Sequence, residues 1–206
     1  MNKTAINLLL LFISINLSAQ TFRVGAVTGL QVSNLTGYSN SEYNDIEFNA
    51  GAKLAVDFNP QFRLGLDLLY SKTIDDLLLS EFDRGHYSLE LNYVQVPLTF
   101  TYMTWLNDTK PAKYNRLHFS GGLSVAKMIS NNVRDKFGDS LIDDYQYEKN
   151  RLSLLTNLGF YFNNHFGISA QYVHSLTSIF LSSDPQVVKS RIISINLIYM
   201  MDNQIR

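Results

Sequence analysis

The sequence predicts an all-β protein: an eight-stranded antiparallel up-and-down transmembrane β-barrel after an N-terminal signal peptide. Three observations carry this expectation. Apolar and polar residues alternate with period two through nearly all of the chain beyond residue 20, the pattern of strands with one apolar face. The connections between those strands alternate between long and short. The apolar face ends in aromatic residues on the short-connection side.

The leader comes first. "MNK" supplies a positive charge, "AINLLLLFISINL" a short apolar run, and "LSA" puts Leu17 and Ala19 at the −3 and −1 positions of a cleavage site. This is the layout of a secretory signal. The expected organisation is a signal peptide over residues 1–19 and a barrel domain over residues 20–206. No later stretch approaches the ~20 continuous apolar residues of a membrane helix.

Eight strands are expected: Thr21–Asn34, Ile46–Phe58, Phe62–Lys72, Tyr87–Met103, Arg116–Ile129, Glu148–Phe162, His165–Ser175 and Ser190–Met200. The first, third, fifth and seventh connections are long. The second, "NPQ", and the sixth, "NN", are tight, and the fourth, "TWLNDTKPAKYN", is intermediate. In an up-and-down barrel the odd connections share one end and the even ones the other. Long loops at one end and short turns at the other is the outer-membrane arrangement. Stray apolar residues at Leu77–Leu79, Leu141–Ile142 and Ile179–Leu181 predict that some strands continue beyond the bilayer, or that the loops meet a partner.

A soluble barrel would turn the apolar face inward and a membrane barrel would turn it to lipid. The composition of the two faces selects the second. Phe22, Phe58, Phe62, Tyr102, Phe119, Phe162, Phe166 and Tyr199 form an aromatic girdle at the short-turn end, where interfacial aromatics belong. The opposite face is small and mixed, studded with Gly25, Gly29, Gly51, Gly65, Gly122, Gly159 and Gly167, as a narrow lumen requires. The fourth strand departs from the pattern. Leu89, Leu91 and Tyr93 hold one parity, and Val96, Leu98, Phe100 and Tyr102 the other. A phase slip and a β-bulge are expected near Tyr93–Val94.

Several stretches resemble the small outer-membrane "porin family", or PorT-like barrels, of the Bacteroidota. They are "FRVGAVTGLQVSNLTG", "LNYVQVPLTFTY", "LHFSGGLSVAKMI" and the "SAQ" cleavage region. The resemblance implies an outer-membrane barrel and carries no catalytic set. The end "YMMDNQIR" departs from the many barrels that finish on an aromatic residue.

By parity the lumen receives Arg23, Lys53, Arg63 and Arg151 against Glu47, Asp57, Asp67 and Glu90. A mixed set of this kind fits a salt-bridged plug better than the single-sign field of an ion-selective pore. If Phe58 faces Phe62, then Asp57 faces Arg63 and Lys53 faces Asp67, two opposite-charge cross-strand pairs. The same device sets Asn157 opposite Gln171. These lumen charge pairs are expected to be structural, and removing one partner should harm more than replacing both.

Other chemistries find little support. The chain has no Cys, which excludes disulfides, thiol catalysis and a lipoprotein anchor. No metal-ligand spacing joins His86, His118, His165 and His174. In "QYVHSL" the adjacent His174 and Ser175 point to opposite faces, so no catalytic dyad forms. No catalytic, cofactor or metal residues are therefore assigned, and no nucleic-acid partner is expected without a basic stripe. Acidic clusters at Asp75, Asp76, Glu81 and Asp83, and at Asp135, Asp139, Asp143, Asp144 and Glu148, are most simply solvated loop surface. They also have the chemistry to hold divalent cations. Outer-membrane lipid is the expected environment and an envelope protein the candidate partner. The leading function is a structural or interaction barrel, serving a secretion or surface complex. The alternatives are a narrow porin-like pore and, third, an outer-membrane lipid-modifying enzyme.

Overall fold

Backbone amides in a strand need partners, and eight strands supply them to one another in a ring. The computed structural model describes residues 21–36, 46–78, 86–108, 113–134, 149–178 and 189–201. The strands are β1 (Thr21–Thr36), β2 (Ile46–Asp57), β3 (Phe62–Leu78), β4 (His86–Asn107), β5 (Tyr114–Arg134), β6 (Asn150–Tyr161), β7 (Phe166–Ser175) and β8 (Lys189–Met200). Each pairs antiparallel with its neighbour in sequence. β1 closes on β8 through a ladder running from Gly25↔Met200 to Thr36↔Lys189. The leader lies outside the described residues.

The two faces divide as the alternation requires. Leu30 is 60% exposed on the outer wall and Ile195 58%, whereas Tyr93 inside is 1% exposed. An all-round coat of exposed aliphatic residues is stable against lipid and costly against water. At the short-turn end Phe22, Phe58, Tyr102, Phe119, Phe162 and Phe166 are exposed. Phe62 joins them in a stacked contact with Phe100 at 5.5 Å.

Two short turns use one device. In "FNPQF" the Asn59 side-chain oxygen accepts from the amides of Gln61 and Phe62, both at 2.8 Å. In "FNNHF" Asn163 accepts from His165 and Phe166, again at 2.8 Å. The asparagine thus supplies the hydrogen bonds that the reversing backbone cannot make. At the intermediate turn Trp105 takes a positive φ of 61°, and the β4–β5 ladder skips it. Its ring packs on Phe160 at 6.0 Å, with the Arg116 guanidinium 5.7 Å away.

The anomaly in β4 resolves differently from the sequence expectation. β4 keeps one parity from Leu91 to Met103, and Leu91 and Tyr93 point into the lumen, each 1% exposed. The register does shift between Asn92 and Tyr93, but the extra residue is Ile129 of β5, between Met128 and Ser130. The apolar pair belongs to the luminal packing, so no slip in β4 was needed to keep it from the interior. β3, β4 and β5 run to Leu78, from His86 and to Arg134, further toward the long loops than the expected strands.

Replacing Asn59 or Asn163 by Ala removes two side-chain hydrogen bonds from an exposed turn. Each substitution is expected to cost about 1 kcal/mol, read as a lowered urea midpoint of the barrel in detergent micelles.

Candidate functional site: the barrel lumen

The lumen is the place where these strands bring chemistry-bearing side chains together. Near the short-turn end, Asp57 and Arg63 face each other across the β2–β3 ladder. Arg63 Nε donates to Asp57 Oδ1 at 2.5 Å and Nη2 to Oδ2 at 3.0 Å, a two-point fork. Arg63 Nη1 also donates to the Tyr161 hydroxyl at 3.2 Å, reaching across the barrel to β6. The His118 ring lies 5.0 Å from that of Tyr161. Gly159 makes room for it, since a Cβ there would stand 2.1 Å from His118 Cε1.

Four residues along β2, Lys53 faces Asp67. Its Nζ donates to both carboxylate oxygens, at 2.9 and 2.8 Å. Lys53, Asp67 and Arg63 border a polar cavity of about 30 Å³ lined also by His118, Asn157 and Gln171, room for one or two waters. Asn157 and Gln171 are register partners. Their amides, however, engage neighbours: Asn157 donates to Ser169 at 3.2 Å, and Asn196 donates to Gln171 at 3.3 Å.

Toward the long loops a second polar knot forms around Glu47, 3% exposed. Gln31 Nε2 donates to it at 3.0 Å and Ser33 Oγ at 2.8 Å. Gln31 Nε2 also reaches Ser71 Oγ at 2.9 Å. Between the polar groups lie apolar residues: Val27, Ala55, Leu69, Ile198 and Met200 in one cluster, Leu155, Val173 and Ile192 in another.

The remaining predicted charges sit elsewhere. Arg23 is at the short-turn rim, where Nη2 donates to Asn164 Oδ1 at 3.0 Å. Arg151 is buried and lies over the Tyr93 ring at 4.2 Å. Among the described residues its Nε, Nη1 and Nη2 find no hydrogen-bond partner. Glu90 does not enter the lumen. Odd residues of β4 face inward, so Glu90 lies on the outer wall and pairs with Lys72 at 3.0 Å. Glu90 differs from the sequence expectation because the extra residue at the register shift lies in β5 and β4 carries no phase slip there.

His174 is on the outer wall and Ser175 is 1% exposed inside, donating to the Thr177 carbonyl at 2.7 Å. No group of three His, Cys, Asp or Glu side chains is placed to hold a metal ion among the described residues. The acidic residues of the long loops lie outside those described, apart from the backbone of Asp75 and Asp76 in β3.

Residues 16–181 match the model of the "Outer membrane protein beta-barrel domain" family. The chain belongs to this family. It is an outer-membrane β-barrel protein. Among solved structures it is similar to Ail, the attachment invasion locus protein of Yersinia pestis, in complex with the heparin analogue sucrose octasulfate. The identity is 15% and the TM-score 0.50, over 87% of this chain and 99% of that one. It is also similar to Neisserial surface protein A, with 15% identity and a TM-score of 0.45 over 87% and 97% of the two chains. OprG of Pseudomonas aeruginosa gives 15% and 0.43 over 88% and 95%. At this identity the Ail likeness speaks for the fold alone. No curated protein matches the chain.

Arg63→Met leaves Asp57 enclosed without its partner and is expected to cost about 3 kcal/mol. The double change Lys53→Met with Asp67→Leu should stay within about 1 kcal/mol of the native barrel. Arg151→Met forfeits a cation–π contact of about 2 kcal/mol and leaves the buried Glu47 carboxylate without the positive charge of Arg151, so a loss of at least about 2 kcal/mol is expected from the same unfolding titrations.

Proposed function

We propose that the barrel is closed by its own side chains and acts as a structural and interaction protein of the outer membrane. The observation that carries this is the charge-neutral bridge Asp57–Arg63–Tyr161, which spans the lumen from β2–β3 to β6. Lys53–Asp67 stands beside it, and the apolar clusters occupy the space between. An ion crossing such an interior would have to break enclosed ion pairs at a cost of several kcal/mol. The lumen pairs on this reading hold register and closure, and no residue is assigned a catalytic role. His174 and Ser175 on opposite faces support a non-enzymatic reading. The narrower kinship with PorT-like barrels rests on the motifs of β1, β4 and β5, and with it an accessory role in a secretion or surface complex. A signal peptide over residues 1–19 belongs to the same reading.

A narrow pore is the second reading, supported by the polar lining of the small cavity. Planar-bilayer recordings separate the two. The plugged barrel is expected to show no steady openings, and large sustained conductance would refute it. Arg63→Ala combined with Tyr161→Ala removes the bridge and is expected to introduce openings. A stable partner recovered after mild detergent extraction would support the accessory role.

A further inference from the structure

The small cavity beside the luminal ion pairs has a one-sided chemistry. Its charged lining is Lys53 and Arg63 against Asp67. Asp57, the fork partner of Arg63, does not line it. His118 does, and that ring is 5% exposed. Its Nδ1 is buried and finds no hydrogen-bond partner among the described residues.

The hydrogen-bonding capacity of this wall leans the same way. An ammonium carries three donors and a guanidinium five. Lys53 directs two of its donors to the Asp67 oxygens, at 2.9 and 2.8 Å. Arg63 directs Nε and one proton of Nη2 to Asp57, and one proton of Nη1 to the Tyr161 hydroxyl. Each side chain therefore has protons left over. Tyr161 accepts from Arg63 and keeps its own O–H to donate. Thr101 Oγ1 and Ser120 Oγ share one hydrogen bond at 2.8 Å, which leaves one of their two hydroxyl protons free to turn. On the acceptor side, both Asp67 oxygens already receive Lys53. Asn157 Oδ1 is a buried acceptor without a partner.

We propose that this cavity binds a single halide ion, chloride or bromide, through protons of Lys53, Arg63 and His118. Spare donors select a ligand that only accepts. Size narrows the class further. A volume of about 30 Å³, about two water positions, admits a monatomic anion and excludes sulfate, phosphate and organic acids. The second position takes a water that donates to Asn157 Oδ1 and to the ion. A metal cation in the same place would face Lys53 and Arg63 while both Asp67 oxygens are engaged, and an enclosed charge beside its own sign is costly. The site stands whether or not the lumen conducts, because its ligands belong to the side-chain packing between β2, β3 and β5.

The test follows urea unfolding of the full chain in detergent micelles at constant ionic strength, with sodium chloride or sodium bromide replacing sodium gluconate. At about ten times its dissociation constant, an ion bound to the folded barrel alone raises the folded-to-unfolded ratio roughly tenfold. The native midpoint is expected to rise with halide concentration. Lys53→Met with Asp67→Leu, and separately His118→Phe, remove donors from the wall and should abolish the rise. Either variant decides the point if the other does not fold. Lys127→Gln, exposed on the outer wall, should keep the rise. Crystals grown in sodium bromide should show one anomalous-scattering peak in the cavity, within hydrogen-bonding reach of Lys53 Nζ and His118 Nδ1. Equal midpoints in halide and gluconate would overturn the proposal. So would a rise that the cavity variants retain, which is a general salt effect on the barrel. A cavity without bromide in the anomalous map would overturn it too, and would make the space a water site.

Discussion

No peptide group can be left unpaired in hydrocarbon, and the rest of this structure follows from that constraint. Each unsatisfied amide or carbonyl at membrane depth costs several kcal/mol. A sheet in lipid must therefore have no edge, and the β1–β8 ladder removes the last one. Closure of eight strands then fixes a narrow lumen in which inward side chains from opposite walls meet, as Arg63 and Tyr161 do. The polar interior is thus a consequence of the ring, and it must satisfy itself within a small space.

The lumen meets that demand unevenly. Asp57, Arg63 and Tyr161 share hydrogen bonds across the barrel, and Glu47 is held by Gln31 and Ser33. These groups lock the relative positions of β1, β2, β3 and β6, since a one-residue slip would turn each charge to lipid. Arg151 is the exception, lying on the Tyr93 face with no hydrogen-bond partner among the described residues. Buried ion pairs of this sort contribute modestly to stability and strongly to register.

The outer wall divides along its height for a related reason. The apolar band matches the hydrocarbon, and its two borders face different headgroup environments. Aromatic rings that are apolar in body and polar at the tip occupy one border. The other border is mixed, with exposed Lys127 and Arg191 beside exposed Ile129 and Leu176.

The sequence by itself determined the strands, their faces and the end at which each connection lies, because side-chain direction in a strand has a strict period of two. It also determined the first hairpin, since "FNPQF" fixes which residues of β2 and β3 are opposite. The tertiary structure decided what local pattern cannot encode. Tyr161 reaches Arg63 only because the ring brings β6 across from β3, and Gln31 meets Ser71 two strands away. The extra residue at Ile129 belongs to the partner of the strand that looked irregular, and Glu90 consequently faces outward. Register between strands joined by long loops depends on the whole closed ladder, and one strand's alternation carries no record of it.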